Sequence, residues 1–226
     1  MGKQRLIKGA GAKGFKENYW NHNYSNPNLM DGVMNTAQHV NYLKATFGLE
    51  YIDISTVVDL GFGLGYLLEA ILKEFIPHTA EGIEPSAYAF EKIGQRDIPP
   101  VNSMEVSLRQ MDLVSWCKQK KNVCEVFDLG ICTSVLQYLT EEEIEFVLPV
   151  LAQRIKYLYL SVPTDKELKR QIEEFELNDT FAFKRSRSFY QKVMKKHFTV
   201  VSCCLLESKV HFNEQDSSFT NLVFRF

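Results

Sequence analysis

The segment richest in chemistry is Val57-Val58-Asp59-Leu60-Gly61-Phe62-Gly63-Leu64-Gly65-Tyr66-Leu67. An apolar run that reads as a buried strand meets three alternating glycines and passes directly into a helical pattern. Glycine reaches positive φ and lets a ligand approach the main chain with no Cβ in the way. The helix that follows offers unpaired N–H groups and a partial positive charge of about half an elementary unit. Such a turn binds an anionic or polar group at the carboxyl edge of a sheet. A turn serving only strand–helix packing needs glycine once or twice, so three favour a ligand. A P-loop requires Gly-Lys-Ser/Thr, where Tyr66 and Leu67 stand. The dinucleotide pattern G-x-G-x-x-G fails at Tyr66 if it starts at Gly61, and at Leu68 if it starts at Gly63. What remains is D-L-G-x-G-x-G, whose acid repels phosphate and suits an ammonium group.

Glu84 ends a second apolar run in GIEPS. An acid at that point, after a glycine turn, can accept hydrogen bonds from both hydroxyls of a ribose. Among the histidines, His22, His39 and His211 are candidate bases, but none has an identified partner, and a lone histidine is usually structural. No histidine or carboxylate set has metal-ligand spacing, so no metal is expected. Arg185 and Arg187, with Lys184, could grip a phosphate or carboxylate, although a solvated charged stretch is the simpler reading.

The D59-L-G-F-G-L-G65 turn resembles the first motif of class I S-adenosylmethionine-dependent methyltransferases, and the resemblance runs from about residue 36 to the end of the sequence. It implies a cofactor whose amino-acid part lies on Asp59, Gly61, Gly63 and Gly65, with the ammonium near the acid and the carboxylate near main-chain N–H groups. It implies that Asp112 lies near the adenine amino group, with Met111 and Leu113 flanking the ring. Cys132, Thr133 and Ser134 fall where the family's sulfonium end meets the acceptor, and Thr133 is taken as a cofactor contact. Two departures are informative. The Asn/Asp-Pro-Pro-Tyr/Phe motif of DNA and glutamine N-methyltransferases is missing at Cys132-Thr133-Ser134-Val135. Many small-molecule members carry histidine in V-L-x-H-L, where this chain has Tyr138, so the catalytic residue stays unassigned. Cys132 follows Ile131 rather than Pro or Thr and reads as a small buried strand residue, not a nucleophile.

The elements that must position these groups alternate. TVVDL, AEGIE, VSLRQMDL, VFDLGIC and YLYLSV read as strands, separated by the helical patterns YLLEAILKEF, SAYAFEKI and VSWCKQK and by a helix begun at Thr140 by a capping box with Glu143. Such alternation predicts parallel strands joined by right-handed crossovers. A helix is expected from about Thr36 to Phe47 and another near 188–196. FTVVSCCLLES and TNLVFRF then follow with no helix between them, which predicts an antiparallel pair. The expected fold is α/β, a Rossmann-like doubly wound, mostly parallel seven-stranded sheet ending in an antiparallel hairpin. Residues 1–35 are expected to form a basic arm and a candidate lid, with Tyr19, Trp20 and Tyr24 available to shield a cation. Residues 36–226 are expected to form the methyltransferase domain.

The 226 residues are enough for one domain with its own core. Lys+Arg 26 against Asp+Glu 28 gives −2, so no global field favours nucleic acid or anionic lipid. Five cysteines without CxxC spacing argue against a disulfide scaffold or zinc ribbon. No apolar run is long and uncharged enough to span a membrane, and the start lacks the apolar stretch of a signal peptide. A cytoplasmic enzyme is expected, which transfers a methyl group from S-adenosylmethionine to a small molecule. RNA or protein acceptors stay open, and oligomeric state is unknown. A nicotinamide-dependent Rossmann oxidoreductase and a non-catalytic cofactor-binding protein are the alternatives.

Overall fold

The structure, a computed structural model, describes residues 14–23, 33–95, 105–119, 126–175, 179, 181–213 and 215–219. Among the described residues, seven strands form one sheet in the order β3-β2-β1-β4-β5-β7-β6. They are β1 (Thr56–Leu60), β2 (Thr79–Ile83), β3 (Glu105–Arg109), β4 (Phe127–Thr133), β5 (Ile155–Ser161), β6 (Phe198–Ser202) and β7 (Leu205–Ser208). The first five are mutually parallel, whereas β7 runs antiparallel to both β5 and β6. The expected architecture is therefore present.

Residue alternation explains the layering. Val57, Leu129, Ile131, Tyr157 and Tyr159 face one side, where α2 (Thr36–Leu49) buries Val40, Leu43 and Phe47 and α3 (Tyr66–Phe75) buries Ile71. Val58, Leu60, Leu158 and Leu160 face the other side, against Trp116 of α5 (Leu113–Lys118), Ile144, Val147 and Leu151 of α6 (Glu141–Arg154) and Val193 of α8 (Arg187–Met194). Strands buried on both faces read as continuous apolar runs, which is why TVVDL and YLYLS carry so few polar residues. The remaining helices are α1 (Glu17–Asn23), α4 (Ala87–Gly94) and α7 (Asp165–Phe175).

Strand order reverses between β1 and β4, and a cleft opens at their carboxyl ends. Ligands of open α/β sheets bind at such a switch point. The fold thus brings Asp59 at the end of β1, Glu84 just past β2 and Thr133 at the end of β4 to one edge.

Several elements differ from expectation. Among the described residues the antiparallel hairpin lies within FTVVSCCLLES and turns at Cys203-Cys204, where Cys204 adopts φ 58°. The TNLVFRF segment, Tyr24, Cys124 and Lys3, Arg5, Lys8 and Lys13 of the basic arm lie outside the described residues. The α7 helix was not anticipated; Pro163-Thr164 starts it, and Glu167 N–H donates to Thr164 Oγ1 at 3.4 Å. The capping box at Thr140 is present, with Thr140 N–H donating to Glu143 Oε2 at 2.8 Å and Glu143 N–H to Thr140 Oγ1 at 3.2 Å. Among the described residues no helix is long and apolar enough to cross a membrane.

Candidate active site

A cleft of about 710 Å³ opens at the switch point, within the ~300–1,000 Å³ range of small-molecule sites. The glycine turn forms its floor. Gly61, Gly63 and Gly65 adopt φ 112°, 54° and 80°, the left-handed region that side chains avoid. A Cβ on Gly65 would stand 2.4 Å from Ile93 Cδ1, so that glycine also lets α3 pack against α4.

The glycines' own N–H groups are committed to the protein. Gly61 N–H donates to Ile83 O at 2.8 Å, Gly65 N–H to Phe62 O at 2.8 Å and Gly63 N–H to Glu84 Oε2 at 2.9 Å. The glycines therefore shape the turn rather than donate from it. The N–H groups of Leu64 and Leu67, which line the cleft at the entry to α3, have no acceptor among the described residues. They are the donors that an anionic group would meet there.

Two buried carboxylates flank this turn. Asp59 is 2% exposed, and no hydrogen-bond donor meets its side chain among the described residues. Burial, and then the charge of Glu84, push its pKa up to about 8. Glu84 is also buried; its Oε1 accepts Ser86 N–H at 2.9 Å while Oε2 takes Gly63 N–H. Burial raises its pKa and these two hydrogen bonds lower it, leaving it at about 7. A carboxylate has about four lone-pair sites, so each Glu84 oxygen can accept one more donor. An unpaired buried carboxylate is stabilised by a cation more than by anything else the cleft could hold.

Helix α1 covers the turn. Trp20 lies over Gly63, with ring carbon Cη2 3.4 Å from where a Cβ would be. Its Nε1–H donates to Ser86 Oγ at 2.8 Å and to Phe15 O at 3.2 Å. The neighbouring Tyr19 hydroxyl meets Tyr138 Oη at 2.9 Å, and Tyr138 Oη donates to Asp179 Oδ2 at 2.5 Å. Burial holds the Tyr138 phenol well above its ordinary pKa, and the charges of Tyr19 and Asp179 add to this. Residues 14–23 are thereby fastened over the cleft at both the glycine turn and Tyr138.

Of the cofactor candidates, Asp59, Gly61, Gly63, Gly65, Glu84 and Thr133 line this cleft. Met111, Asp112 and Leu113 do not. Asp112 caps α5, accepting Ser115 N–H at 2.7 Å and Ser115 Oγ–H at 2.9 Å; Leu113 is buried in the core and Met111 packs against it. Arg185 is neither solvated nor in the cleft. It is buried, stacks 4.6 Å from the Phe183 ring and donates to Leu139 O at 2.6 Å, stitching the loop after β4. Arg187 and Lys184 are exposed. His39 Nδ1 sits 2.6 Å from Tyr159 Oη and His211 Nε2 2.9 Å from Gln153 O, both outside the cleft. The His22 side chain lies outside the described residues. Cys132 is fully buried, which pushes its thiol pKa far up and makes it inert. No group of metal-ligating side chains occurs among the described residues.

Sequence reasoning missed Asp179, Gln137 and the α7 residues Glu167 and Arg170, all on the cleft wall. Only α7 left a signal, the Thr164-x-x-Glu167 spacing after Pro163.

No protein-family model matches the chain, and no curated protein matches it. Solved structures do match. The methyltransferase domain of bacterial CtHen1 is 20% identical with a TM-score of 0.56, over 75% of this chain and 97% of that one. The magnesium protoporphyrin IX methyltransferase of Synechocystis PCC 6803, solved with bound SAH, is 17% identical with a TM-score of 0.56, over 88% of this chain and 95% of that one. The N-methyltransferase NodS from Bradyrhizobium japonicum WM9, in complex with S-adenosyl-L-homocysteine, is 11% identical with a TM-score of 0.56, over 85% of this chain and 100% of that one. At these identities the likeness is one of fold. The chain has the fold of class I S-adenosylmethionine-dependent methyltransferases.

Proposed function

We propose that this protein transfers the methyl group of S-adenosylmethionine to a small-molecule acceptor. The observation that carries the reading is Asp59, buried and unpaired at the switch point beside the left-handed glycines. A dinucleotide would bring phosphates to that carboxylate; an adenosyl amino acid brings an ammonium. The same fold in proteins solved with SAH supports this choice.

In this reading Asp59 holds the ammonium, the Leu64 and Leu67 N–H groups face the carboxylate, and the free lone pairs of Glu84 take the ribose hydroxyls. Thr133 lies at the β4 edge beside the acceptor side, and Trp20 excludes water from above. Met111, Asp112 and Leu113 are assigned no role in it, because they lie outside the described cleft lining. S-adenosylmethionine supplies a methyl carbon already activated by a positive sulfur, so alignment is the chain's main task. Alignment is worth about 7–11 kcal/mol in favourable cases. For an acceptor that must lose a proton, Tyr138 Oη is the cleft's proton-handling atom. It stays protonated at rest and passes its hydrogen toward Asp179 Oδ2 as it accepts another.

A small acceptor agrees with the net charge of −2 and with a cleft in which Arg170 is the lone cationic side chain among the described lining residues. The thiols Cys117, Cys132 and Cys203, none of them in a disulfide, agree with a reducing compartment such as the cytoplasm. Calorimetric titration with S-adenosylhomocysteine and, separately, NAD tests the reading. Binding of the first alone is expected; binding of NAD alone would refute it.

A further inference from the structure

The wall of the cleft away from the glycine turn has its own chemistry. Gln137 sits in the 3-10 turn Leu136–Tyr138 that follows β4 and is 2% exposed. Its main-chain oxygen accepts Phe183 N–H at 2.8 Å, which fixes the turn. Its side-chain Oε1 is buried and has no hydrogen-bond partner among the described residues. A buried carbonyl oxygen left without a donor is costly, and a ligand N–H or O–H relieves it. Gln137 lines the cleft, as do Tyr19, Tyr138 and Asp179.

Aromatic rings make up the adjoining surface. The Phe15 ring centroid lies 4.8 Å from that of Tyr138 and 5.0 Å from that of Tyr19, both edge-on. A flat ring is the natural filler of such a wall. The charges there are acidic. Asp179 and Glu167 line the cleft, while Arg170 is drawn onto Glu167 at 2.7 Å and toward Glu174 at 3.8 Å. Neither lysine nor histidine lines the cleft among the described residues. An anionic acceptor would face carboxylates and an orphan carbonyl oxygen with no unpaired cation to meet it.

We infer that the acceptor half of the cleft takes an arylalkylamine, an aromatic ring on a short chain that ends in N–H donors, with no negative charge. Gln137 Oε1 and the Asp179 carboxylate read its donors, and Phe15, Tyr19 and Tyr138 hold its ring. This deepens the methyltransferase reading and rests on it. Recognition by acceptors placed to receive hydrogens also imposes a penalty on competitors that lack them, since the site's buried polar atoms then stay unpaired.

The test uses the full chain saturated with S-adenosylhomocysteine and two probes of matched shape, tyramine and 4-hydroxyphenylacetate, titrated by ligand-observed NMR. Tyramine is expected to bind at least about tenfold more tightly, and Gln137→Leu and Asp179→Asn are each expected to lower its affinity about fivefold or more. Gln137→Leu should keep its affinity for S-adenosylhomocysteine within about twofold and raise the melting temperature of the ligand-free protein, because a buried orphan oxygen is removed. That rise separates a binding role from a packing role, in which the variant would be destabilised. Equal or tighter binding of 4-hydroxyphenylacetate would overturn the inference, as would unchanged tyramine affinity in both variants. If the wild type fails to bind S-adenosylhomocysteine at all, the methyltransferase reading falls and the inference falls with it. Binding of S-adenosylhomocysteine without a preference for tyramine overturns the inference alone.

Discussion

Each end of the parallel sheet holds a buried or half-buried aspartate, and the two are treated in opposite ways. At the amino end, Asp128 near the start of β4 accepts Lys156 Nζ at 2.8 Å, Ser55 N–H at 3.0 Å, and Thr56 N–H and Oγ1–H at 3.1 Å each. Burial alone would raise its pKa, but these hydrogen bonds and the Lys156 charge outweigh it and hold it below its ordinary value. At the carboxyl end, Asp59 has no such donors among the described residues and its pKa rises to about 8. Asp128 is a closed clip between strands. Asp59 is kept costly in the ligand-free protein, which is what a site built for a cation requires.

The contrast can be broken by mutation, and the effects should descend in size. Gly63→Val forces a β-branched residue to φ 54° against the Trp20 ring. Affinity for S-adenosylhomocysteine should fall about 100-fold or more while circular dichroism shows an intact sheet. Normal binding would remove the turn from the site. Glu84→Ala deletes the clasp on Gly63 N–H, the bond to Ser86 N–H and the acceptor for the ribose. It should weaken cofactor binding by roughly 1.5–3 kcal/mol by calorimetry, and unchanged affinity in the folded variant would contradict the ribose assignment.

Isosteric changes at the two aspartates should have opposite signs. Asp128→Asn should destabilise the protein by about 1–3 kcal/mol in urea unfolding with S-adenosylhomocysteine affinity intact. Asp59→Asn should stabilise the ligand-free protein above about pH 8 and weaken cofactor binding. A shared sign would erase the distinction between clip and site. Smallest of all, Trp20→Phe removes the indole donor to Ser86 and shortens the ring that lies over Gly63. It should cost about 0.5–1.5 kcal/mol of cofactor affinity.

The two halves of the cleft also differ in how far the sequence revealed them. The glycine turn, Asp59 and Glu84 were legible because a few consecutive residues dictate their geometry and strand alternation places them at one edge. The acceptor wall was not, because its contacts join residues far apart in the chain: Tyr19 to Tyr138, Tyr138 to Asp179, and Phe183 to Gln137. No local pattern encodes such meetings. Asp112 lies outside the described cleft lining, and its spacing to Ser115 is that of a helix cap, a local role that the sequence also encodes. Arg185 looked solvated among its charged neighbours, yet its planar guanidinium is buried against Phe183 and the carbonyls of the β4 loop. The hairpin was foreseen as a pair of strands, but its turn fell at Cys203-Cys204 because Cys204 adopts a left-handed backbone that composition does not announce.

Proton linkage gives the central test its direction. Asp59 and Glu84 have pKa values raised by folding, so the stability each contributes is fully present below the ordinary carboxylate values of 3.8 and 4.5. It is lost as pH climbs through about 7 for Glu84 and about 8 for Asp59. A ligand that brings an ammonium to the ionised pair must expel those protons, and its affinity therefore rises over the same window. The decisive measurement is calorimetric titration of the full chain with S-adenosylhomocysteine across that window. Binding that tightens as pH passes about 7 to 8, with proton release seen in buffers of different ionisation enthalpy, is the predicted result. No binding, or binding that weakens over the same window, would contradict a cleft built around an unpaired Asp59.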